Sequence, residues 1–140
     1  MAQVVIDTNV LVSALIKNGK SRKLVLKLLK EHTVIVSNQL LAELADVISR
    51  DKFSVTSSQV DRFISILARN AKMVSVHCIS KVILEDPNDD MILATALIGK
   101  ANYIISGDKH LLKIASYNKL KIVSVTEFIN KIQQTKMKRS

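Results

Sequence analysis

Val4-Val5-Ile6-Asp7-Thr8-Asn9, near the amino terminus, decides how the rest of the chain is read. Three β-branched residues run together with no polar residue between them. That pattern suits a strand covered on both faces, not one with a wet side. A carboxylate then closes the run. Working outward, the same composition recurs, and five strands are expected: Gln3 to Asp7, Thr33 to Val36, Met73 to Val76, Tyr103 to Ser106 and Lys121 to Val125. Helical stripes lie between them. Leu24, Val25, Leu28 and Leu29 form one. Leu40, Leu41, Leu44, Val47 and Ile48 form another, with Ser37 or Asn38 as its cap. Val60, Phe63, Ile64 and Leu67 follow the cluster Thr56-Ser57-Ser58. Met91 to Ile98 is nearly all apolar and reads as a buried helix. Leu111, Leu112 and Ala115 mark a short helix, and Val125, Phe128, Ile129 and Ile132 the last, with Thr126 as its cap. Strand and helix in alternation imply an α/β architecture with a parallel sheet.

Composition narrows the function. The chain has 140 residues, 48% of them hydrophobic, with one Pro and three Gly, enough for a packed core in one domain. No apolar stretch approaches the roughly 20 residues that span a bilayer, and Met1-Ala2-Gln3 lacks a basic signal-peptide start. A cytoplasmic protein without a membrane partner is expected. The lone Cys78 reads as a small buried hydrophobe. The formal net charge is +9. Lys17, Lys20, Arg22, Lys23, Lys27 and Lys30 fall in a stretch with no acid, and Lys136, Lys138 and Arg139 close the chain. Such patches attract phosphate backbones; the plainer readings are a solvated Lys-rich helix face and a frayed tail.

Against that basic background, four acids stand out. Asp7 ends the first strand, where a buried carboxylate without a partner is costly. A hard divalent cation would be a partner; capping a helix that starts near Asn9 is the plainer role. Glu43 lies roughly 100° from the stripe Leu40, Leu44 and Val47, on the border of the buried face. It is also readable as an ordinary boundary residue. Glu85-Asp86-Pro87-Asn88-Asp89-Asp90 reads as a helix start, with Asp86 as cap and Pro87 in the first turn. Asp89 and Asp90 complement the helix dipole, yet carboxylates this close repel unless a cation is present. Asp108 follows Ser106-Gly107 at the end of another strand and caps a helix or faces a ligand. Ser106 is placed to orient a neighbouring carboxylate. Asp7 and Asp108 become neighbours if the first and fourth strands are adjacent across the point where strand order reverses, which is where α/β sheets bind ligands.

These residues resemble a PIN domain from Val4 to about Ile129. Val5-Ile6-Asp7-Thr8-Asn9-Val10-Leu11 and Asp86-Pro87-Asn88-Asp89-Asp90-Met91-Ile92-Leu93-Ala94-Thr95-Ala96-Leu97 carry the likeness, with Ala101 to Leu112 after them. The chain is similar in length and layout to the VapC-like toxin group. The resemblance implies a three-layer fold, a five-stranded mainly parallel sheet with helices on both faces. One domain is expected over residues 1–135, with 136–140 as a loose basic tail. It implies a ribonuclease dependent on Mg²⁺ or Mn²⁺. The family's acids match Asp7, Glu43, Asp89 and Asp108 as catalytic residues. Asp7, Asp89 and Asp108 would hold the metal, with Asn9, Ser106 and Asp90 in support. Asp89 is preferred over Asp90 for its spacing to Ala94. Where Thr is usual, Ser106 keeps the hydroxyl. Water activated by the metal would hydrolyse the phosphodiester, leaving a 5′-phosphate and a 3′-hydroxyl. Lys17, Lys20, Arg22 and Lys23 would draw in the RNA. The family also implies homodimers and an antitoxin partner, whose tail would cover the site.

Other classes fit less well. A haloacid-dehalogenase-type phosphatase needs a second Asp where Asn9 stands. A response-regulator receiver needs a phosphorylatable Asp after the third strand, which here ends Ser75-Val76-His77-Cys78. A Rossmann domain needs a Gly-rich turn after the first strand. His32, His77 and His110 lack zinc-ligand spacing. Aromatic residues make up only 4%, too few for extensive base stacking. A PIN protein that binds RNA without cutting it, or a maturation or decay nuclease that is not a toxin, remain the alternatives.

Overall fold

The computed structural model describes residues 2–50, 55–76, 87–117 and 119–139, with side chains described except at 87–89 and 133–139. The elements run β1 (Gln3–Ile6), α1 (Thr8–Ile16), α2 (Lys20–Glu31), β2 (Thr33–Ser37), α3 (Asn38–Arg50), α4 (Ser57–Asn70), β3 (Lys72–Val74), α5 (Pro87–Gly99), β4 (Tyr103–Ile105), α6 (Lys109–Ile114), β5 (Ser116–Tyr117), β6 (Leu120–Val123) and α7 (Val125–Arg139). One sheet orders the strands β3-β2-β1-β4-β6-β5. All pairs are parallel except β5 with β6.

Among the described residues the sheet therefore has six strands, where five are expected from the sequence. The extra one, β5, is two residues long and pairs Ser116 with Lys121 and Tyr117 with Leu120. It has no β-branched run to announce it. Ala115, at φ 61°, turns the chain out of α6 and into this hairpin.

Consecutive burial accounts for the layers. Val34, Ile35, Val36 and Ser37 are all buried, so β2 is covered on both faces. Ile35 and Ser37 face α5. A Cβ on Gly99 would lie 2.7 Å from Ile35 Cγ2, and Thr95 Oγ1 is 2.8 Å from Ser37 Oγ. Helix α5 thus runs antiparallel to β2 and tight upon it. Val34 and Val36 point the other way, toward the side on which α2 packs against β2.

Hydroxyl caps set several helix starts. Ser37 Oγ accepts from Leu40 N–H and so caps α3. Thr56 and Gln59 form a reciprocal capping box on α4. Ser124, not Thr126, caps α7, because its Oγ accepts from Glu127 N–H. Helix α7 continues to Arg139, into the segment expected as a tail. Helix α5 is less buried than its composition suggests. Met91, Ile92, Leu93 and Ala96 are enclosed, but Leu97 and Ile98 are exposed on its outer side. An unbroken apolar run cannot say which side of a helix lacks a neighbour. Among the described residues, no helix is long and apolar enough to cross a membrane.

Candidate active site at the carboxyl edge

The strand order reverses between β1 and β4. The chain builds outward from β1 through β2 to β3, then returns to the other side of β1 with β4. Ile6 pairs with Ile105, so the residues that follow them share one edge. Asp7 N–H donates to Ile105 O at 2.9 Å, fixing the two loops together. Asp7 and Asp108 are therefore brought to the same place from opposite ends of the sequence, as their positions after strands imply.

Asp7 is only 5% exposed. Its Oδ1 accepts from Thr8 Oγ1 at 3.3 Å and from Asn9 N–H at 3.4 Å. Its Oδ2 accepts from Ser106 Oγ at 2.6 Å. That short distance suits a hydroxyl donating to an ionised carboxylate. Ser106 is fully buried, and its Oγ accepts from Asp108 N–H at 2.9 Å. Since a serine has one hydrogen, the proton of Ser106 is committed to Asp7. The hydroxyl is a hinge pin between the two acids. Burial nevertheless raises the Asp7 pKa, outweighing the bonds from Ser106, Asn9 and Thr8, and the nearby Asp108 pushes it the same way. The site therefore holds a negative charge that its own donors do not fully offset.

Asp7 and Asp108 also cap α1 and α6, accepting from Asn9 N–H and His110 N–H. The capping roles expected of them are thus real. They occupy one oxygen of each carboxylate with backbone donors.

The remaining expected residues are placed as follows. Asn9 serves through its backbone N–H, and its side chain is exposed. Glu43 is half-buried on α3, next to the fully buried Leu44. Asp90 is 5% exposed in the first turn of α5. Thr95 lies level with Ser37 at the end of β2, and Asp90 is five positions earlier, about 7.5 Å further along the helix at 1.5 Å per residue. The first turn of α5 therefore overhangs the carboxyl edge of the sheet. The Asp89 side chain, Asp86, His77 and Cys78 lie outside the described residues, as do the side chains of Lys136, Lys138 and Arg139. Among the described residues, no three His, Cys, Asp or Glu side chains gather into a set that would hold a metal ion. What is described is a pair, Asp7 and Asp108, with oxygen donors only. That donor set fits a hard cation such as Mg²⁺ or Mn²⁺ and suits zinc or copper poorly.

Lys17, Lys20 and Lys23 are exposed. Arg22 instead braces the fold. Its Nε donates to Ala14 O and its Nη2 to Leu15 O, both at 2.7 Å. It satisfies carbonyls at the end of α1 that the helix leaves without a partner. Two contributors are not among the site residues expected from the sequence. Thr8 donates directly to the buried acid, a role its position beside a strand-end Asp signals. The pair of Ser37 and Thr95, far apart in sequence, has no such signal.

Comparisons with known proteins agree with this architecture. No curated protein matches the chain. Among solved structures, it is similar to a chain in VapBC2 from Rickettsia felis bound to a DNA fragment from their promoter. The two are 18% identical with a TM-score of 0.63, over 87% of this chain and 98% of the other. At that identity the likeness concerns the fold. The family model for the PIN domain matches residues 3–110, which include Asp7, Glu43, Asp89, Ser106 and Asp108, and this chain belongs to the PIN domain family.

Proposed function

We propose that this chain is a ribonuclease dependent on a divalent metal and the toxin of a toxin–antitoxin pair. The observation that carries the reading is the buried Asp7 carboxylate, held at the strand-order switch point beside Asp108 and raised in pKa by its burial. A nuclease domain spanning residues 1–135 would work in the cytoplasm, as a homodimer, on RNA.

The chain's own groups divide the work. Thr8, Asn9 and Ser106 hold Asp7 in one orientation without neutralising it. Ser106 keeps its proton on the Asp7 side and fixes the Asp108 backbone through its oxygen. Asp7, Asp89 and Asp108 would hold Mg²⁺ or Mn²⁺, with Glu43 as the fourth catalytic acid and Asp90 in support. When bound, such an ion supplies Lewis acidity, lowering the pKa of a water and offsetting charge on the phosphate. Lys17 lies one helix length from Thr8, about 14 Å at 1.5 Å per residue. Lys17, Lys20 and Lys23 would therefore grip phosphates further along the strand than the scissile one. Arg22 would add charge to that patch while holding α1. An antitoxin tail covering the carboxylates, with an Arg replacing the metal's charge, completes the reading. The likeness in fold to a chain of a VapBC complex supports it.

The test is incubation with labelled RNA plus Mn²⁺ or Mg²⁺, then EDTA, beside Asp7→Asn. Metal-dependent cleavage leaving a 5′-phosphate, lost in the variant, is expected. Binding without cleavage in any metal would favour a PIN protein that only binds RNA. Cleavage without growth arrest on expression would favour a decay or maturation nuclease.

A further inference from the structure

Ser37 and Thr95 are both fully buried. Their hydroxyls lie 2.8 Å apart. The surrounding bonds decide which one donates. Thr95 Oγ1 also lies 2.8 Å from Met91 O, which can only accept. The single Thr95 hydrogen therefore goes to Met91 O. Ser37 must then donate to Thr95, while its own oxygen accepts from Leu40 N–H at 3.0 Å. The result is a directed chain: Leu40 N–H to Ser37 Oγ, Ser37 O–H to Thr95 Oγ1, Thr95 O–H to Met91 O.

Both ends of this chain lie at functional positions. Leu40 is in the first turn of α3, one turn before Glu43. Met91 directly follows Asp89-Asp90 in the first turn of α5. One turn beyond Thr95 on α5, Gly99 presses on Ile35, so the helix is seated sterically at one point and by hydrogen bonds at the other.

We infer that Ser37 and Thr95 are positioning residues that set the placement of the α5 acids relative to Glu43 on α3. This rests on the proposed metal-dependent reading of the site. Thr95→Val keeps the shape and removes the acceptor of the Ser37 proton inside a buried contact. Freed from that bond, Ser37 holds α3 less firmly, and the two helices lose their common reference.

The experiment compares wild type, Thr95→Val, Thr95→Ser and Leu28→Val, a core change on α2 without a hydroxyl. Two quantities are read without RNA: Mn²⁺ affinity, from the resonance signal of unbound Mn²⁺, and hydrogen exchange at the Leu40 amide. Thr95→Val should weaken Mn²⁺ binding by about tenfold, in the range for groups that orient metal ligands. It should also speed Leu40 exchange relative to its neighbours. Thr95→Ser should restore both, and Leu28→Val should lower Tm while changing neither. Wild-type Mn²⁺ affinity in Thr95→Val, or no rescue by Thr95→Ser, would overturn the inference. If the wild type binds no Mn²⁺ at all, the metal-dependent reading fails instead. The Leu40 exchange then still decides whether the hydroxyl chain couples α3 to α5: unchanged exchange in Thr95→Val overturns the coupling, faster exchange upholds it.

Discussion

The two ends of one sheet handle polar groups in opposite ways. At the amino edge, Ala2 N–H donates to His32 Nδ1, Gln3 N–H to Asn102 Oδ1, and Asn102 N–H to Gln3 O. Tyr103 and His32 each form a T-shaped contact with Phe128, and Lys131 sits over the Tyr103 ring. These are neutral or solvated partners, and among the described residues only Gln3 Oε1 is a buried side-chain acceptor left unmatched. At the carboxyl edge, by contrast, a carboxylate is buried beside a second one. The amino edge closes the fold, whereas the carboxyl edge keeps a charge that asks for a ligand. That asymmetry is the physical basis for placing function at one end.

The largest effect expected from breaking this contrast is on catalysis. Asp7→Asn should reduce RNA cleavage by at least about 100-fold, because it removes a carboxylate from the proposed metal-holding set. In EDTA the same variant should have a higher Tm than the wild type near neutral pH, since it removes a charge that burial disfavours. A lower Tm would show that the ionised form is comfortable where it lies. Next, Ser106→Ala leaves Asp7 Oδ2 without its donor and Asp108 N–H without its acceptor. Metal affinity or turnover should fall by about 10- to 100-fold, and an unchanged Mn²⁺ titration would refute the hinge-pin role.

Away from both edges, Gly99→Ala should destabilise by about 1–3 kcal/mol through overpacking against Ile35. Denaturant unfolding reads this directly.

The smallest effect is the pH response, and its sign differs between the edges. Burial raises Asp7 above 3.8, so its neutral form stabilises the fold below that value, and this contribution is lost as pH rises through the raised pKa. Burial lowers His32 below 6.5, so its contribution is present above 6.5 and lost as pH falls through the lowered value. Metal-free Tm measured from pH 4 to 8 should show the falling component vanish in Asp7→Asn and the rising one vanish in His32→Gln. If both variants keep the wild-type profile, the titrating groups lie elsewhere.

Much of this contrast is legible in the sequence, because each strand-end acid sits beside a β-branched run. Runs of Val and Ile reveal strands buried on both faces, and alternation with helical stripes implies a parallel sheet. The step from Asp7 to Asp108 needs strand order, which local pattern does not encode but which the β1–β4 pairing bears out. The strand β5 is illegible because two residues carry no periodicity. The Ser37–Thr95 chain is illegible because a hydroxyl in an apolar helix looks the same whether it meets a partner or its own backbone. Arg22 reads as surface charge until the end of α1 is seen beneath it.

Crystals of the protein grown with Mn²⁺, measured by anomalous diffraction, test the central claim most directly. A manganese peak within coordinating distance of both Asp7 and Asp108 is the expected result. Manganese seated only elsewhere, with these two carboxylates bonded solely to their own protein donors, would contradict it.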